Sequence, residues 1–351
     1  VTQPASVSEV EDRAMLRALE LARRGPAHGP NPRVGCVLLD ADGAVLAEGW
    51  HAGAGSPHAE AAAVADARAR GVAVQHATAV VTLEPCAHTG RTGPCSELLA
   101  EAGVRRVVHA VADPNPVAGG GADALRSRGV DVVGGVRAPE GEELLRIWLT
   151  SVRRGRPWVT VKTAQSLDGR VAAADGSSRW ITSEQARLHA HRLRGEVDAV
   201  VVGTGTVLAD DPALTARTPE GTPAAHQPLR VVVGERDVPQ GARMRGPGGE
   251  LLHLRTRDLD GALRSLAARE VRHVLVDGGP TLVTALLRAG LVDEVHTYVA
   301  PVLLGASGRA ALGDLDVPTM ADARRLVPHE VHRLGPDLLL VSVPVPPEEG
   351  P

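Results

Sequence analysis

Ser56-Pro57-His58-Ala59-Glu60, taken together with Glu84-Pro85-Cys86 and Cys95, decides how the first half of the chain is read. These segments supply one imidazole, two thiols and a carboxylate that is not needed as a ligand. Three protein ligands leave the fourth tetrahedral position of a zinc ion to water, and a nearby Glu can move protons. His58, Cys86 and Cys95 are therefore the candidate metal ligands, and Glu60 is the candidate catalytic residue. Zinc lowers the pKa of bound water to about 7 and so makes hydroxide available at neutral pH. Two blander readings stand beside this one. A closed structural zinc site normally has four protein ligands and no spare carboxylate, and unligated cysteines can pack as small hydrophobes.

His-x-Glu followed by Pro-Cys and a further Cys is the order found in zinc deaminases. Hydroxide would attack a carbon that carries an exocyclic amine. Glu60 would take the water proton, protonate the ring nitrogen and deliver a proton to departing ammonia. Locally, Pro57 suits the first helical position with Ser56 as its cap, which predicts His58 and Glu60 in a first helical turn. Residues two apart do not share a helix face, so the water must sit across the helix start. Cys86, after Pro85, is expected to begin another helix, where a thiolate is favoured.

A length of 351 residues suggests about two domains. Hydrophobic residues make up 43% and charged residues 23%, a globular balance. With no Phe, one Tyr and four Trp, the cores must be packed with Val, Leu and Ala. Few aromatics remain for stacking bases, and a net charge of −4 suits a polyanion poorly, so no nucleic-acid partner is expected. Three Cys, two of them claimed by the metal, do not make a disulfide framework. Cys36, in the apolar run 34–39, reads as a core residue. No apolar run reaches the length of a membrane span and no signal peptide is evident, so a cytoplasmic location is expected.

Along the chain, Ser8 and Glu11 form a capping box for a helix over 8–24 with Met15, Leu16, Leu19 and Leu21 on its apolar side. Strands over 34–39 and 44–50, joined by Ala41-Asp42-Gly43, read as a hairpin-like pair. A helix from Pro57 to about Arg70 and a strand over 78–83 follow. Then come a helix over 95–102, a strand over 105–111, a helix over 121–128, a strand over 130–134 and a helix over 139–153. The basic stretch Arg153-Arg-Gly-Arg-Pro157 marks a domain boundary. A second α/β series has strands at 158–164, 197–203, 229–233, 250–254, 272–276, 293–299 and 337–343. Its helices lie at 183–194, 259–269 and 280–289. Segments 218–228 and 239–249 read as surface loops, and the tail from Pro344 as disordered.

The first half resembles the deaminase domain of the bifunctional riboflavin-biosynthesis deaminase–reductase family. The matching segments are Asn31-Pro-Arg-Val-Gly-Cys36, Gly49-Trp-His51, His58-Ala-Glu60, Thr82 to Cys95 and Asp113-Pro-Asn-Pro116. The eight residues between Cys86 and Cys95 replace the Cys-x-x-Cys spacing of many nucleoside and nucleic-acid deaminases. The second half resembles the family's reductase domain through Lys162 to Gly169, Gly176 to Thr182, Gly203-Thr-Gly-Thr206, Ala209 to Arg217 and Asp277-Gly-Gly-Pro-Thr281, and onward through Leu291 to Glu294 and Ala300 to Gly305. The loop after Asp113 is one residue shorter than the common form, Arg179 stands where Gln is common, and Asp277 where Glu is common.

The resemblance implies an α/β chain, with a cytidine-deaminase-like three-layer domain over 8–150 and a dihydrofolate-reductase-like domain over 156–344. It implies one Zn2+ and NADPH. It also implies deamination of a diaminopyrimidinone carrying a ribosylamino 5-phosphate, then reduction of its ribosyl group to ribityl, by a homo-oligomer. Asn31 and His51 would contact substrate in the first site; their plain alternatives are a turn residue and a satisfied strand-end imidazole. Arg91 would bind the phosphate or be a solvated loop charge. In the second domain Ala164, Trp180, Thr206, Asp210 and Gly279, Pro280, Thr281, Leu282, Val283, Thr284 and Ala285 would line the NADPH site. Ser178, Arg194, Leu214, Arg217 and Asp277 would line the substrate site, with Arg217 and Arg194 as phosphate forks. For Trp180 the plain alternative is a core aromatic, for Arg194 a surface charge. Lys162 and Asp168 lie near the expected cleft, and Arg236 is a candidate for the 2′-phosphate. The competing functions are a nucleoside or tRNA deaminase with a non-catalytic C-terminal domain, and a zinc-stabilised binding protein.

Overall fold

The computed structural model describes residues 6–88 and 93–345. The chain divides into two compact units between Gly155 and Arg156. In the first, α1 (Glu9–Ala22) begins at the Ser8–Glu11 capping box. Met15, Leu19 and Leu21 are buried, whereas Leu16 is exposed and does not belong to the apolar side assigned to it. Strands β1 (Gly35–Leu39) and β2 (Val45–Trp50) pair antiparallel across the Asp42-Gly43 turn. β3 (Thr78–Leu83), β4 (Arg106–Val111) and β5 (Asp131–Gly134) run parallel to one another. The sheet order is β2-β1-β3-β4-β5. Helices α2 (Ala59–Ala69), α3 (Cys95–Glu101) and α4 (Gly121–Ser127) cover one face through Ala63, Val64, Leu99 and Leu125. α1 and α5 (Ala138–Arg154) cover the other through Met15, Leu19, Leu145 and Trp148. With both faces covered, the central strands are continuous apolar runs rather than alternating ones, and Cys36 lies fully buried in β1.

The second unit holds an eight-stranded sheet. Its parallel strands are β6 (Trp158–Ser166), β8 (Ala199–Gly203), β9 (Leu229–Val233), β10 (Leu251–Leu254), β11 (His273–Val276) and β12 (Glu294–Ala300). β15 (Asp337–Pro344) adds antiparallel to β12, and β14 (Leu326–Leu334) closes that edge. Helices α8 (Leu259–Ala267) and α9 (Pro280–Arg288) pack on one face. α6 (Glu184–Glu196), α7 (Thr204–Asp210) and the 239–249 segment, whose Met244 is buried, supply the other. β7 (Arg170–Ala172) pairs with β13 (Arg309–Ala310) outside the main sheet.

β7, β13, β14 and α7 have no counterpart in the elements expected from sequence. β14 is exposed on both faces and contains Pro328 at a bulge, so it lacks the period-two pattern that reveals a strand. α7 is seven residues long with a Gly in its first turn, too short for a helical period. Pro344 ends β15, so the disordered tail cannot begin there; residues 346–351 lie outside the described residues.

Candidate active site

His58 is not inside a helix. It is the N-cap of α2, in extended conformation (φ −64°, ψ 161°), and the helix starts two residues later than expected, at Ala59 rather than Pro57. Ser56 caps a different feature: its Oγ donates to Gly53 O (2.7 Å) and accepts from Ala52 N (3.1 Å). Because His58 precedes the helix, the rule that i and i+2 point apart does not apply. Cys86 also departs from expectation: Pro85, Cys86 and Ala87 belong to no helix, and Cys95 instead opens α3. The backbone N–H of Cys95 donates to Cys86 Sγ at 3.4 Å, so the start of α3 still serves the Cys86 sulfur.

These shifts bring the three predicted ligands together. His58 Nδ1 lies 3.3 Å from Cys95 Sγ and 3.6 Å from Cys86 Sγ, and the three donor atoms all fall within 4.8 Å of one another. Cys86 is held well below the ordinary thiol range by its hydrogen bond from Cys95 and by His58. Cys95 is pushed up by the neighbouring Cys86 and by burial. Two buried sulfurs that cannot both shed a proton alone can do so around a cation, and a donor set of two sulfurs and one imidazole nitrogen suits zinc. Glu60, 4% exposed, is pushed up to about 7, chiefly by burial.

The first-site candidates adjoin this centre. The buried ring of His51 stands edge-on to that of His58, with centroids 5.7 Å apart. His51 Nδ1 meets Pro57 O (2.9 Å) and Nε2 meets Asn31 Nδ2 (2.9 Å). A carbonyl must accept and an amide N–H must donate, so the ring is neutral with its proton on Nδ1; burial likewise lowers its pKa. Arg91 lies outside the described residues. Glu84, quoted above without a role, is buried and accepts from Ala122 N (2.9 Å) and Asp113 N (3.2 Å). Its place directly before Pro-Cys was the available signal.

In the second unit the candidates gather at the C-terminal ends of the parallel strands, where open α/β sheets bind ligands. Gly279, at φ 85°, caps α9. A Cβ there would stand 2.5 Å from Thr206 Oγ1, so the two predicted cofactor residues abut. Arg236 Nη2 lies 3.1 Å from the Cβ position of Gly205 on α7. Arg179 Nη2 donates to Asp210 O (3.4 Å), tying the Ser178–Trp180 segment to the end of α7. Trp180 is 68% exposed beneath the Arg187 guanidinium, 4.4 Å from the ring centroid, so it is not a core aromatic. Leu282, Val283 and Thr284 are buried, the first two in the α9 core. Thr281 and Leu282 offer backbone N–H groups of the first turn. Ala285 and Ala164 are half-buried.

Asp277 and Arg194 come together directly. Asp277 accepts from Arg194 Nε (2.9 Å) and Nη2 and from Lys162 Nζ (3.2 Å). Burial alone would raise its carboxyl, but the Arg194 and Lys162 cations outweigh burial and hold it well below the carboxylate range. Arg194 is therefore no surface charge, and Asp277 is fully engaged within the chain. Arg194 Nη1 also donates to Thr215 O (3.3 Å), which links the pair to Leu214 and Arg217. Leu214 is buried at φ 54°, and Arg217 is exposed, with Nη1 on Gly221 O (3.1 Å). Asp168 is a loop anchor: it accepts from Ser166 Oγ (2.5 Å) and from the N–H groups of Leu304 and Gly305.

Residues 8–111 match the cytidine and deoxycytidylate deaminase zinc-binding region, and residues 157–340 match the RibD C-terminal domain. The riboflavin biosynthesis protein RibD of Mycobacterium tuberculosis is 47% identical over 98% of this chain and 99% of its own length. That of Escherichia coli is 41% identical over 93% and 97%. Among solved structures, Acinetobacter baumannii RibD superposes with a TM-score of 0.88 at 38% identity, covering 96% of this chain and 99% of that one. The Thermotoga maritima diaminohydroxyphosphoribosylaminopyrimidine deaminase/5-amino-6-(5-phosphoribosylamino)uracil reductase gives 0.83 at 34%, with coverage of 96% and 99%. With a zinc-type His-Cys-Cys centre in one unit and a nucleotide-type sheet edge in the other, the chain belongs to the RibD family, a deaminase using zinc and a reductase using NADPH joined in one riboflavin-biosynthesis enzyme.

Proposed function

We propose that residues 8–150 deaminate 2,5-diamino-6-(5-phosphoribosylamino)pyrimidin-4-one and that residues 156–344 then reduce the ribosyl group to ribityl. The observation that carries the first half is the convergence of three zinc-type donors, His58 Nδ1, Cys86 Sγ and Cys95 Sγ, with the buried carboxylate of Glu60 in the same site. His58, Cys86 and Cys95 would hold the zinc, which supplies a water acidic enough to attack at neutral pH. Glu60 carries protons, first from the attacking water to the ring nitrogen and then to the departing ammonia. His51, neutral, fixes the Asn31 amide through Nε2, leaving Asn31 Oδ1 to accept an N–H of the pyrimidine.

In the second half, the first turn of α9, Thr206, Asp210 and Trp180 would seat NADPH, with Arg236 beside its 2′-phosphate. Ala164 lies on the face of β6 that carries Lys162, at the level of Tyr298. Ser178, Leu214, Asp277, Arg194 and Arg217 would bound the substrate, with Arg217 the freer phosphate fork because Arg194 is committed to Asp277. Hydride transfer belongs to the cofactor, and the chain supplies position and charge. We take the working form to be a homo-oligomer with a small phosphorylated pyrimidine as ligand and with no nucleic-acid or membrane partner. No helix among the described residues is long and apolar enough to cross a membrane.

The test is mass spectrometry of products from the pyrimidine substrate with and without NADPH. Loss of the amine without NADPH, and gain of two hydrogens only with it, is the expected result. Deamination without reduction would mean that the second domain is inactive or uses another cofactor. Glu60→Gln should keep its zinc and lose deamination by about 10²-fold or more, while reduction of pre-deaminated substrate continues. Retained deamination in that variant sinks the role given to Glu60.

A further inference from the structure

The segment from Pro212 to Arg217 carries two of the proposed substrate residues, yet it has no regular secondary structure of its own. Ala216, directly before Arg217, is 0% exposed, so its backbone N–H and C=O must find partners inside the protein. The Gln227 side chain reaches both, and the Ala216 carbonyl also accepts from Ala224 N (3.1 Å). Gln227 Oε1 accepts from Ala216 N (3.0 Å), and Gln227 Nε2 donates to Ala216 O (2.8 Å) and to Ala224 O (2.9 Å). A carboxamide has the donor and the acceptor needed to imitate a paired strand. Thr215, the preceding residue, has its carbonyl held by Arg194 Nη1 and His191 Nδ1 (3.2 Å). Behind it, Gly248 (φ 116°) approaches so closely that a Cβ would collide with the Thr215 side chain. The buried Arg230 fixes that flank by donating to Gly246 O (2.9 Å) and Gly249 O.

We infer that Gln227 is the positioning residue of the reductase substrate site, holding Ala216 so that Arg217 on one side and Thr215 with Arg194 on the other present a fixed phosphate-binding edge. Gln227 does not itself touch the ligand in this scheme. The inference rests on the reading of Arg217 and Arg194 as the phosphate end of that site.

The experiment uses the full chain and pre-deaminated substrate, and compares Gln227→Ala, Gln227→Glu and Arg217→Ala with the parent in steady-state reduction. Gln227→Ala should raise the KM for the pyrimidine about tenfold or more, with the KM for NADPH and kcat within about threefold of the parent. Deamination, performed by the other unit, should not change. Gln227→Glu matches the parent side chain in size and can still accept from Ala216 N, but it cannot donate to Ala216 O or Ala224 O. It therefore tests the idea even if the alanine variant folds poorly. Its added charge should raise the same KM further, and that part of the rise should shrink as salt is added. If Arg217→Ala raises the pyrimidine KM and neither folded Gln227 variant does, the positioning role is overturned. Equal losses in both KM values, or a fall in kcat alone, overturn it as well by marking a general structural defect. If Arg217→Ala leaves the KM unchanged, the substrate-site reading fails first and takes this inference with it.

Discussion

Buried titratable side chains in this chain are held in chosen protonation states by identifiable neighbours. Glu60 is kept available to hold a proton near neutral pH because burial disfavours its charge. Asp277 is kept charged because two cations overcome the same penalty. His189, half-buried, is a third case. Its Nδ1 meets the hydroxyl of buried Tyr298 at 2.7 Å, and burial, then Arg192 and His296, lower its pKa to about 4. The neutral ring accepts that O–H, and protonation would remove the acceptor. An unfolded His titrates near about 6.5, so between these values the unfolded chain binds the extra proton. Stability contributed by His189 is therefore present at neutral pH and is lost as pH falls toward 4. Thermal unfolding followed from pH 7 to pH 4.5 should show a falling melting temperature, with a smaller fall in His189→Asn. An identical slope in that variant removes His189 from the account. None of this could be read from the sequence, because a lone His in a helix says nothing of which hydroxyl it will meet. The zinc donors were legible, because chemistry restricts their residue types and their order. What was not legible was the two-residue delay of α2, which frees His58 from the helix.

Short elements do much of the positioning, and some of them, such as α4, were legible in the sequence. α4 is seven residues long, yet its first residues weld the Cys86 loop to the sheet. Glu84 accepts the Ala122 N–H, and Gly121 lies so near the Pro85 carbonyl that a Cβ would collide with it. Gly121→Ala should therefore displace Pro85-Cys86 at a cost of about 1–3 kcal/mol of overpacking. Zinc affinity, read by competition with a chromophoric chelator, should fall, and the reductase activity should not change. Unaltered zinc affinity would remove this helix start from the architecture of the metal centre. α1 and α5 were legible because their capping or apolar runs extend over several turns, and β3 because it is an apolar run buried on both faces of its sheet. β14 and α7 were not. The first has solvent on both sides and the second is too short to show a period.

At the scale of the molecule, every candidate of the zinc centre lies in the unit before Arg156 and every candidate of the nucleotide edge lies after it. Each unit has its own sheet covered on both faces. The sequence showed this division through a Pro-bearing basic stretch between two α/β series, although Arg156 turns out to be buried and paired with Asp293 at 2.6 Å rather than solvated. Separate cores predict separable losses. Removing zinc leaves Cys86 and Cys95 as two buried sulfurs that share a proton, which weakens α3 and the Cys86 loop. Treatment with a strong chelator should abolish deamination. NADPH-dependent reduction of pre-deaminated substrate should persist at about its original rate, since no residue of that site depends on the metal. Adding zinc back should restore the first activity alone. Parallel loss of both activities, with parallel recovery, would mean that the metal supports the whole chain and not only the unit that binds it.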